Sequence, residues 1–523
     1  MIQEKISDVK RFNQVLKILV ENEMGYVIER SGLSDHLPFT KQLKIKRRDK
    51  PGPERLRETL EELGSIYVKF GQILAQRPDL IPKRYTEELE KLEEDVTSFK
   101  WSEAEQIIGE DIGLESFREV DEEPLAAASI AQVHRATLKT GEDVVIKVRR
   151  PEIDEQVRKD LEILKFFIKK AEKHSNVTKH SDALKFVEQF SQWTEEELDL
   201  QREGLNAQIF RENLEDEENL YVPEVYPELN SERVLVMEYV EGVKCTQTEK
   251  LKEMEVNAEK ISEAAVRAGI RQSIIDGFFH ADTHPSNFLL TEDSEIIYLD
   301  FGMMGKVSQD TGEKLGLLLL YLIREDIDSI IDCLESLGST TEAYDREKVE
   351  EVVEEKVLIL KNTSLKQTSI TQEMFDLFVS ISDYGLRMPS NLALLGKNLV
   401  TMEGIALTIY PDFRIQDSYE NIIQDTLKEK NSPKDLAEDL SIDLIKNKEL
   451  FTKLPTKINN KLENTGKTVN ITENSSEITT LPAGLMISSG IVFAASPFYP
   501  PLFLIGAAEV ALSLYLYSKN NSS

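Results

Sequence analysis

Phe278-Phe279-His280-Ala281-Asp282-Thr283-His284-Pro285-Ser286-Asn287-Phe288-Leu289-Leu290 is the stretch on which the reading of the fold turns. Thirteen residues beyond Asn287 stands Asp300-Phe301-Gly302. Between them, the apolar run Ile296-Ile297-Tyr298-Leu299 predicts a short strand. A strand there holds the carboxylates of Asp282 and Asp300 at a fixed separation. Phosphoryl transfer needs magnesium on oxygen ligands and an acidic group near the attacking oxygen. His-x-Asp-x-x-x-x-Asn followed by Asp-Phe-Gly supplies both. A rival reading takes His280 and His284 as a metal pair at i, i+4 on a helix. Pro285 and the lack of a further nearby His or Cys weigh against it. A plain polar loop leaves two spaced motifs in the right order unexplained.

The upstream parts follow the same logic. Val144-Val145-Ile146-Lys147-Val148 predicts a strand carrying a lysine that meets nucleotide phosphates. Alone, a lysine in an apolar strand is a snorkelling surface residue. Before it, Ala126-Ala127-Ala128-Ser129 stands where a kinase carries a glycine-rich loop. Alanine still offers backbone N–H groups to phosphate, but its Cβ restricts positive φ, so a stiffer loop is expected. The run Glu195-Glu196-Glu197-Leu198-Asp199-Leu200-Gln201-Arg202-Glu203 is on its face a solvated acidic helix surface. Within it Glu203 is the candidate partner of Lys147, and Glu197 and Asp199 are candidate acids for the metal. The strand Val234–Val240 ends in Glu238, Tyr239 and Val240, assigned to cofactor binding.

Composition sets the outer bounds. The chain has 523 residues, 40% hydrophobic and 30% charged, room for two to four folding units. Its net charge of −32 excludes nucleic acid as the main partner. Two cysteines, Cys245 and Cys333, build neither a disulfide framework nor a Cys-rich zinc site, which suits a reducing compartment. The N-terminus lacks the basic and apolar regions of a signal peptide. Leu56, Leu60, Leu63, Tyr67, Phe70 and Leu74 recur every three or four residues and predict one amphipathic helix. Lys69 and Gln72 share a face of it. Near the C-terminus, Ile478 to Ala508 is 31 residues without a charge, interrupted by Pro497, Pro500 and Pro501. Leu481–Ala495 and Leu502–Tyr517 are read as two short helices of a membrane hairpin, with a buried helical pair as the alternative.

Together, Lys69-Phe70-Gly71-Gln72, the Ala126–Ser129 loop, Glu197-Leu198-Asp199, His280–Asn287 and Asp300-Phe301-Gly302-Met303-Met304-Gly305 resemble the UbiB family of atypical kinase-like proteins. The resemblance runs from about Leu56 to Phe413 and takes in Leu394-Leu395-Gly396-Lys397 and Val400-Thr401-Met402-Glu403-Gly404. Thr283 and Ser286 depart from the Pro and Gly usual in that loop, which bears on loop geometry rather than chemistry. The resemblance implies an α+β, bilobal protein-kinase-like fold. A helical extension with the Lys-x-Gly-Gln motif is expected over 1–110, an N-lobe with a helical insert over 111–243, and a helical C-lobe over 244–458. A polar linker over 459–480 and the apolar hairpin over 481–518 complete the expected organisation.

The same resemblance implies ATP and magnesium as cofactors. Lys147 would position the α/β-phosphates, Glu203 would hold Lys147, and Asp300 and Asn287 would ligate magnesium. Asp282 would orient or deprotonate the attacking group. Lys69 and Gln72 would lie over the site as a lid that excludes peptide substrates, with Lys69 paired to Glu197 or Asp199. Expected partners are an isoprenoid or quinone-type lipid, a membrane surface and lipid-biosynthesis proteins, with the catalytic body in the cytoplasm. A small-molecule phosphotransferase and a nucleotide-gated lipid-binding scaffold without turnover are the alternatives.

Overall fold

Elements are numbered in chain order on a computed structural model. It describes residues 8–22, 24 and 52–423, apart from 76, 78–79, 93–96, 175–182, 255, 363–368, 390 and 416–417. The chain divides into two units, 1–431 and 432–523, and everything described lies in the first. The basic cluster 41–50, the polar stretch 459–480 and the apolar pair over 481–518 lie outside the described residues. Among the described residues no helix is long and apolar enough to cross a membrane.

Helices α1 (Val9–Glu21), α2 (Pro53–Leu63), α3 (Ser65–Ala75) and α4 (Lys83–Leu89) form the N-terminal helical group. The single helix expected from Leu56 to Leu74 is two helices. Gly64 breaks it with φ +106° and ψ −176°, a conformation open to glycine and costly to side chains. The apolar stripe survives the break: Leu60, Leu63, Ile66, Tyr67, Phe70 and Ile73 are all buried. Phe70 packs edge-on to Phe190 at 5.2 Å between ring centroids.

Period-two patterning builds the smaller lobe. Strands β1 (Phe117–Val120), β2 (Ala126–Ala127), β3 (Ala131–Leu138) and β4 (Asp143–Arg149) pair antiparallel, and β4 pairs with a later strand over Val234–Glu238. Along β4, Val144, Ile146 and Val148 point into one core with α5 (Trp101–Asp111). The opposite face therefore carries Val145 and Lys147. The helical stretch after β4 is α6 (Ile153–His174), α7 (Ala183–Glu197) and α8 (Leu200–Asn213).

The larger lobe is mostly helical. After β5 (Leu220–Tyr221), the edge strand β6 (Val234–Glu238) and β7 (Val243–Lys244) come α9 (Thr248–Glu253) and α10 (Ala258–Arg271), which runs into a π-helical turn, Gln272–Asp276. Strand β8 (Phe278–His280) pairs antiparallel with β11 (Met304–Lys306). Between them, β9 (Phe288–Leu290) pairs with β10 (Ile296–Tyr298). The loop from Ala281 to Asn287 and the Asp300 turn thus leave neighbouring ladders on the same side. Helices α11 (Gln309–Arg324), α12 (Ile327–Leu337), α13 (Arg346–Asn362), α14 (Ile370–Ser382) and α15 (Asn391–Ile409), with the short ladder β12 (Ser339–Thr340) to β13 (Leu386–Arg387), complete the lobe. The expected bilobal arrangement with N-terminal helices is present.

Candidate active site

The two lobes and α3 line a half-open cavity of about 1850 Å³. Lys147 reaches it from the free face of β4. Its Nζ donates to Glu203 Oε1 at 2.7 Å and Oε2 at 2.9 Å, and lies 3.5 Å from Asp300 Oδ2. Glu203 is on the first turn of α8 and is 1% exposed. It stands behind Lys147 rather than in the cavity wall. Asp300 is fixed from its other side, because the Gly302 amide donates to its Oδ1 at 2.9 Å. A Cβ on Gly302 would come within 3.2 Å of Asp300 Oδ1 and of the Glu197 side chain, so a third carboxylate closes on the same point.

Glu197 ends α7, and Lys69 of α3 forms an ion pair with its Oε1. Lys69 is buried. Gly71, between Lys69 and Gln72, lets α3 pack closely within the N-terminal helical group, since a Cβ there would meet the side-chain tips of Leu92 and Leu60. Gln72 lines the cavity and donates to the Leu92 carbonyl at 3.0 Å. Asp199 does not join this group. Its side chain accepts from the backbone of Gln201 and Arg202 as the N-cap of α8, and it is absent from the cavity wall. The reason is local, since an Asp directly before a helix satisfies the free N–H groups of the first turn.

The loop after β8 supplies the remaining polar groups. Asp282 and Asn287 line the cavity, and Asn287 Nδ2 donates to the Asp282 carbonyl at 2.9 Å, tying the two ends of the loop. That leaves the Asn287 amide oxygen as its electron-pair donor. Ser286 Oγ lies 2.7 Å from His284 Nδ1, and Thr283 is buried. Across the cavity, Ala126, Ala127 and Ala128 line the roof. None of them adopts positive φ, so alanine is accommodated without strain. Ser129 is buried beside them. The far wall holds Glu238, Tyr239 and Val240. Glu238 accepts from Tyr221 Oη at 2.5 Å and from the Glu224 amide at 3.1 Å, which fixes the end of β6. Sequence reading gave no role to Lys397 of α15, whose Nζ is 3.7 Å from Asp282 Oδ1. Nor did it find Phe375 and Val379 of α14, which extend the cavity beyond Asp282.

The electrostatics follow from crowding. Burial alone would lower Lys147, but Asp300, Glu203 and Glu197 more than compensate and raise it, so it stays charged. Burial pushes Glu203 up to about 7 against the pull of Lys147. Burial likewise raises Glu197 despite Lys69. Asp300 goes the other way. Its own burial is outweighed by Lys147, the Gly302 amide, His280 and Lys69, which hold it down at about 2. The cluster therefore carries a surplus of carboxylate over ammonium, a setting that favours a further cation. Its donors are oxygens, as a hard divalent ion prefers. Glu197 Oε2 is buried with no hydrogen-bond partner. Among the described residues no three His, Cys, Asp or Glu side chains form a ready-made metal cage.

This combination of fold and site defines an atypical kinase-like protein. Residues 91–334 match the ABC1 atypical kinase-like domain and residues 359–414 match the UbiB helical domain. The probable protein kinase UbiB of Cellvibrio japonicus is 33% identical over 394 residues, 74% of this chain and 71% of that protein. Its counterpart in Azotobacter vinelandii is 32% identical, over 76% and 75%. The chain belongs to the UbiB family. An uncharacterized protein of Synechocystis sp. is 34% identical over 71% of this chain, and the match spans only 64% of that relative's length. Among solved structures, a Mycobacterium tuberculosis protein in complex with erythromycin shares the fold, with a TM-score of 0.50 and 23% identity over 70% of this chain and 93% of that one.

Proposed function

We infer that this protein is a magnesium- and ATP-dependent phosphotransferase or ATPase of UbiB type that supports quinone or other isoprenoid-lipid metabolism at a membrane. The observation that carries the catalytic part is the Lys147–Glu203 pair facing Asp300 across a cavity that also holds Asp282 and Asn287. Magnesium, when bound, neutralises charge on the phosphates; Asp300 and Asn287 would hold it, with Glu197 beside them. Lys147 binds the α/β-phosphates and Glu203 keeps it aimed. The Ala126–Ser129 roof offers backbone N–H groups to phosphate, and Glu238, Tyr239 and Val240 border the base. Asp282 takes the proton of the attacking hydroxyl or water. The cavity exceeds the roughly 300–1,000 Å³ of an ordinary small-ligand pocket, leaving space for a second molecule beside the nucleotide.

The lid reading rests on the buried Lys69–Glu197 pair. With α3 packed over the opening, small or membrane-borne acceptors fit the site better than peptide chains. The lipid and the lipid-biosynthesis partners rest on the family resemblance, and the apolar C-terminal pair supports the membrane. The test is phosphate release from Mg-ATP by the full-length protein, with and without liposomes carrying quinone precursors. Turnover that needs magnesium and rises with liposomes is expected. ATP-dependent phosphorylation of a soluble metabolite, indifferent to liposomes, would replace this reading with a small-molecule phosphotransferase. Tight nucleotide binding with no turnover would leave a scaffold.

A further inference from the structure

Three lysines surround the carboxylates of the site, and two are committed. Lys147 is held by Glu203 and Asp300, and Lys69 by Glu197. Lys397 differs. Its ammonium stands 3.7 Å from Asp282 Oδ1, within ion-pair range but too long for a hydrogen bond. It lines the cavity with its side chain 23% exposed. Burial lowers its proton affinity against the pull of Asp282, and Lys69 repels it in the same direction, so it sits in a field that a further anion would relieve.

The loop that carries Asp282 brings no cation of its own. From Ala281 to Asn287 it contains neither lysine nor arginine, and His284 is turned onto Ser286. Yet charge spreads over the equatorial oxygens of a transferring phosphoryl group and must be met by fixed positive groups. Lys147 is spoken for by the α/β-phosphates. The side chain beside Asp282 that can meet the terminal group is Lys397, and it comes from α15, inside the region that matches the UbiB helical domain.

We propose that Lys397 is a catalytic residue whose ammonium bridges Asp282 and the terminal phosphoryl group of ATP. This rests on the phosphotransferase or ATPase reading above. The oxygen of the acceptor hydroxyl or of water forms a bond to the terminal phosphorus. The bond from that phosphorus to the β–γ bridging oxygen breaks, and ADP leaves with the electron pair. Asp282 takes the acceptor's proton. Lys397 neither gives nor takes one: it neutralises charge on the moving group and holds the Asp282 carboxylate toward it. Phe375, Val379 and Val400 lie along the same cavity wall, so Lys397 marks the junction between the nucleotide and the space left for an acceptor.

The experiment titrates full-length protein with Mg-ADP and with the magnesium complex of the non-hydrolysable β,γ-imido analogue of ATP, alongside steady-state ATP turnover. The proteins are the parent, Lys397→Met, Lys397→Arg and Lys147→Met. Lys397→Met is expected to bind Mg-ADP like the parent and the analogue about tenfold more weakly, with kcat down about 10²-fold and KM for ATP raised in step with the weaker analogue binding. Lys397→Arg should recover part of both. Lys147→Met should weaken both nucleotides alike. Retained ADP binding also shows that the methionine variant is folded. Equal analogue binding and turnover in parent and Lys397→Met overturns the proposal while leaving the phosphotransferase reading intact. Equal weakening of ADP and analogue overturns it too, because it makes Lys397 structural. If the parent itself binds neither nucleotide, the phosphotransferase reading falls and takes this role with it.

Discussion

Asp300 is the most constrained carboxylate of the site. Its low pKa keeps it ionised across any physiological pH, so its value to the protein is a permanent charge. Asp300→Asn removes that charge from a hard cation's ligand set. Affinity for Mg-ATP is expected to fall about tenfold or more, with magnesium-free nucleotide affected far less. Calorimetric titration checks this, and equal Mg-ATP affinity in variant and parent would falsify the role. Asp276 gives a different kind of prediction. Burial raises it to about 7, with Arg271 Nε 3.7 Å away as partial compensation. An acid whose folded pKa exceeds its unfolded one lends stability that is full below about 4 and lost as pH rises to about 7. Asp276→Asn should melt like the parent near pH 4 and become more stable than it through that window. The plateau above pH 7 should be on the order of 4 kcal/mol. A difference that stays flat with pH would refute it. Residues of this kind differ in legibility. Lys147 and Asp300 stand in short motifs whose spacing is their signal. Lys397 meets Asp282 from 115 positions further along the chain, and no local pattern encodes that contact.

Helix α3, which carries Lys69, is set among its neighbouring helices by two glycines with different jobs. Gly64 ends α2 with a backbone that L side chains avoid, although nothing lies within 4 Å of where its Cβ would be. Gly64→Ala should therefore cost about 1–2 kcal/mol through conformation alone, read from a urea midpoint. Gly71 is needed for closeness, not for angle. The periodicity of Leu56 to Leu74 was legible as an apolar stripe, but a stripe continues across a kink, so it could not reveal that one helix is two. The reverse holds for Asp199. An Asp followed by Leu-Gln-Arg at a helix start is a capping signal, and the surrounding acids obscured it. Asp199→Ala should lower stability by about 0.5–2 kcal/mol and leave magnesium dependence unchanged. A loss of magnesium affinity in that variant would return Asp199 to the metal site.

At the scale of the molecule, the polar stretch over 459–480 is the predicted seam between the catalytic body and the apolar tail. A chain cut after Thr480 retains the whole first unit, 1–431. It should bind Mg-ATP with the affinity of the full chain and stay at the bottom of a liposome flotation gradient in which the full chain rises. Flotation of the cut chain would move the membrane contact into the body. The lobes were legible because each carries its own period, two in β4 and near 3.6 in the helices. The convergence of α3, β4, α14 and α15 on one cavity was not, because packing between distant segments leaves no repeat in the sequence.

That convergence has a consequence during synthesis. The cavity wall begins at Lys69 and is finished only by Val400. A ribosome working at roughly 5–20 residues per second needs on the order of 20–60 s to cover that distance. Until its end the nascent chain lacks α15, and with it Lys397 and Val400 of the cavity wall. On the proposed reading, a chain released before α15 is made lacks Lys397 and is expected to be idle toward ATP rather than unregulated.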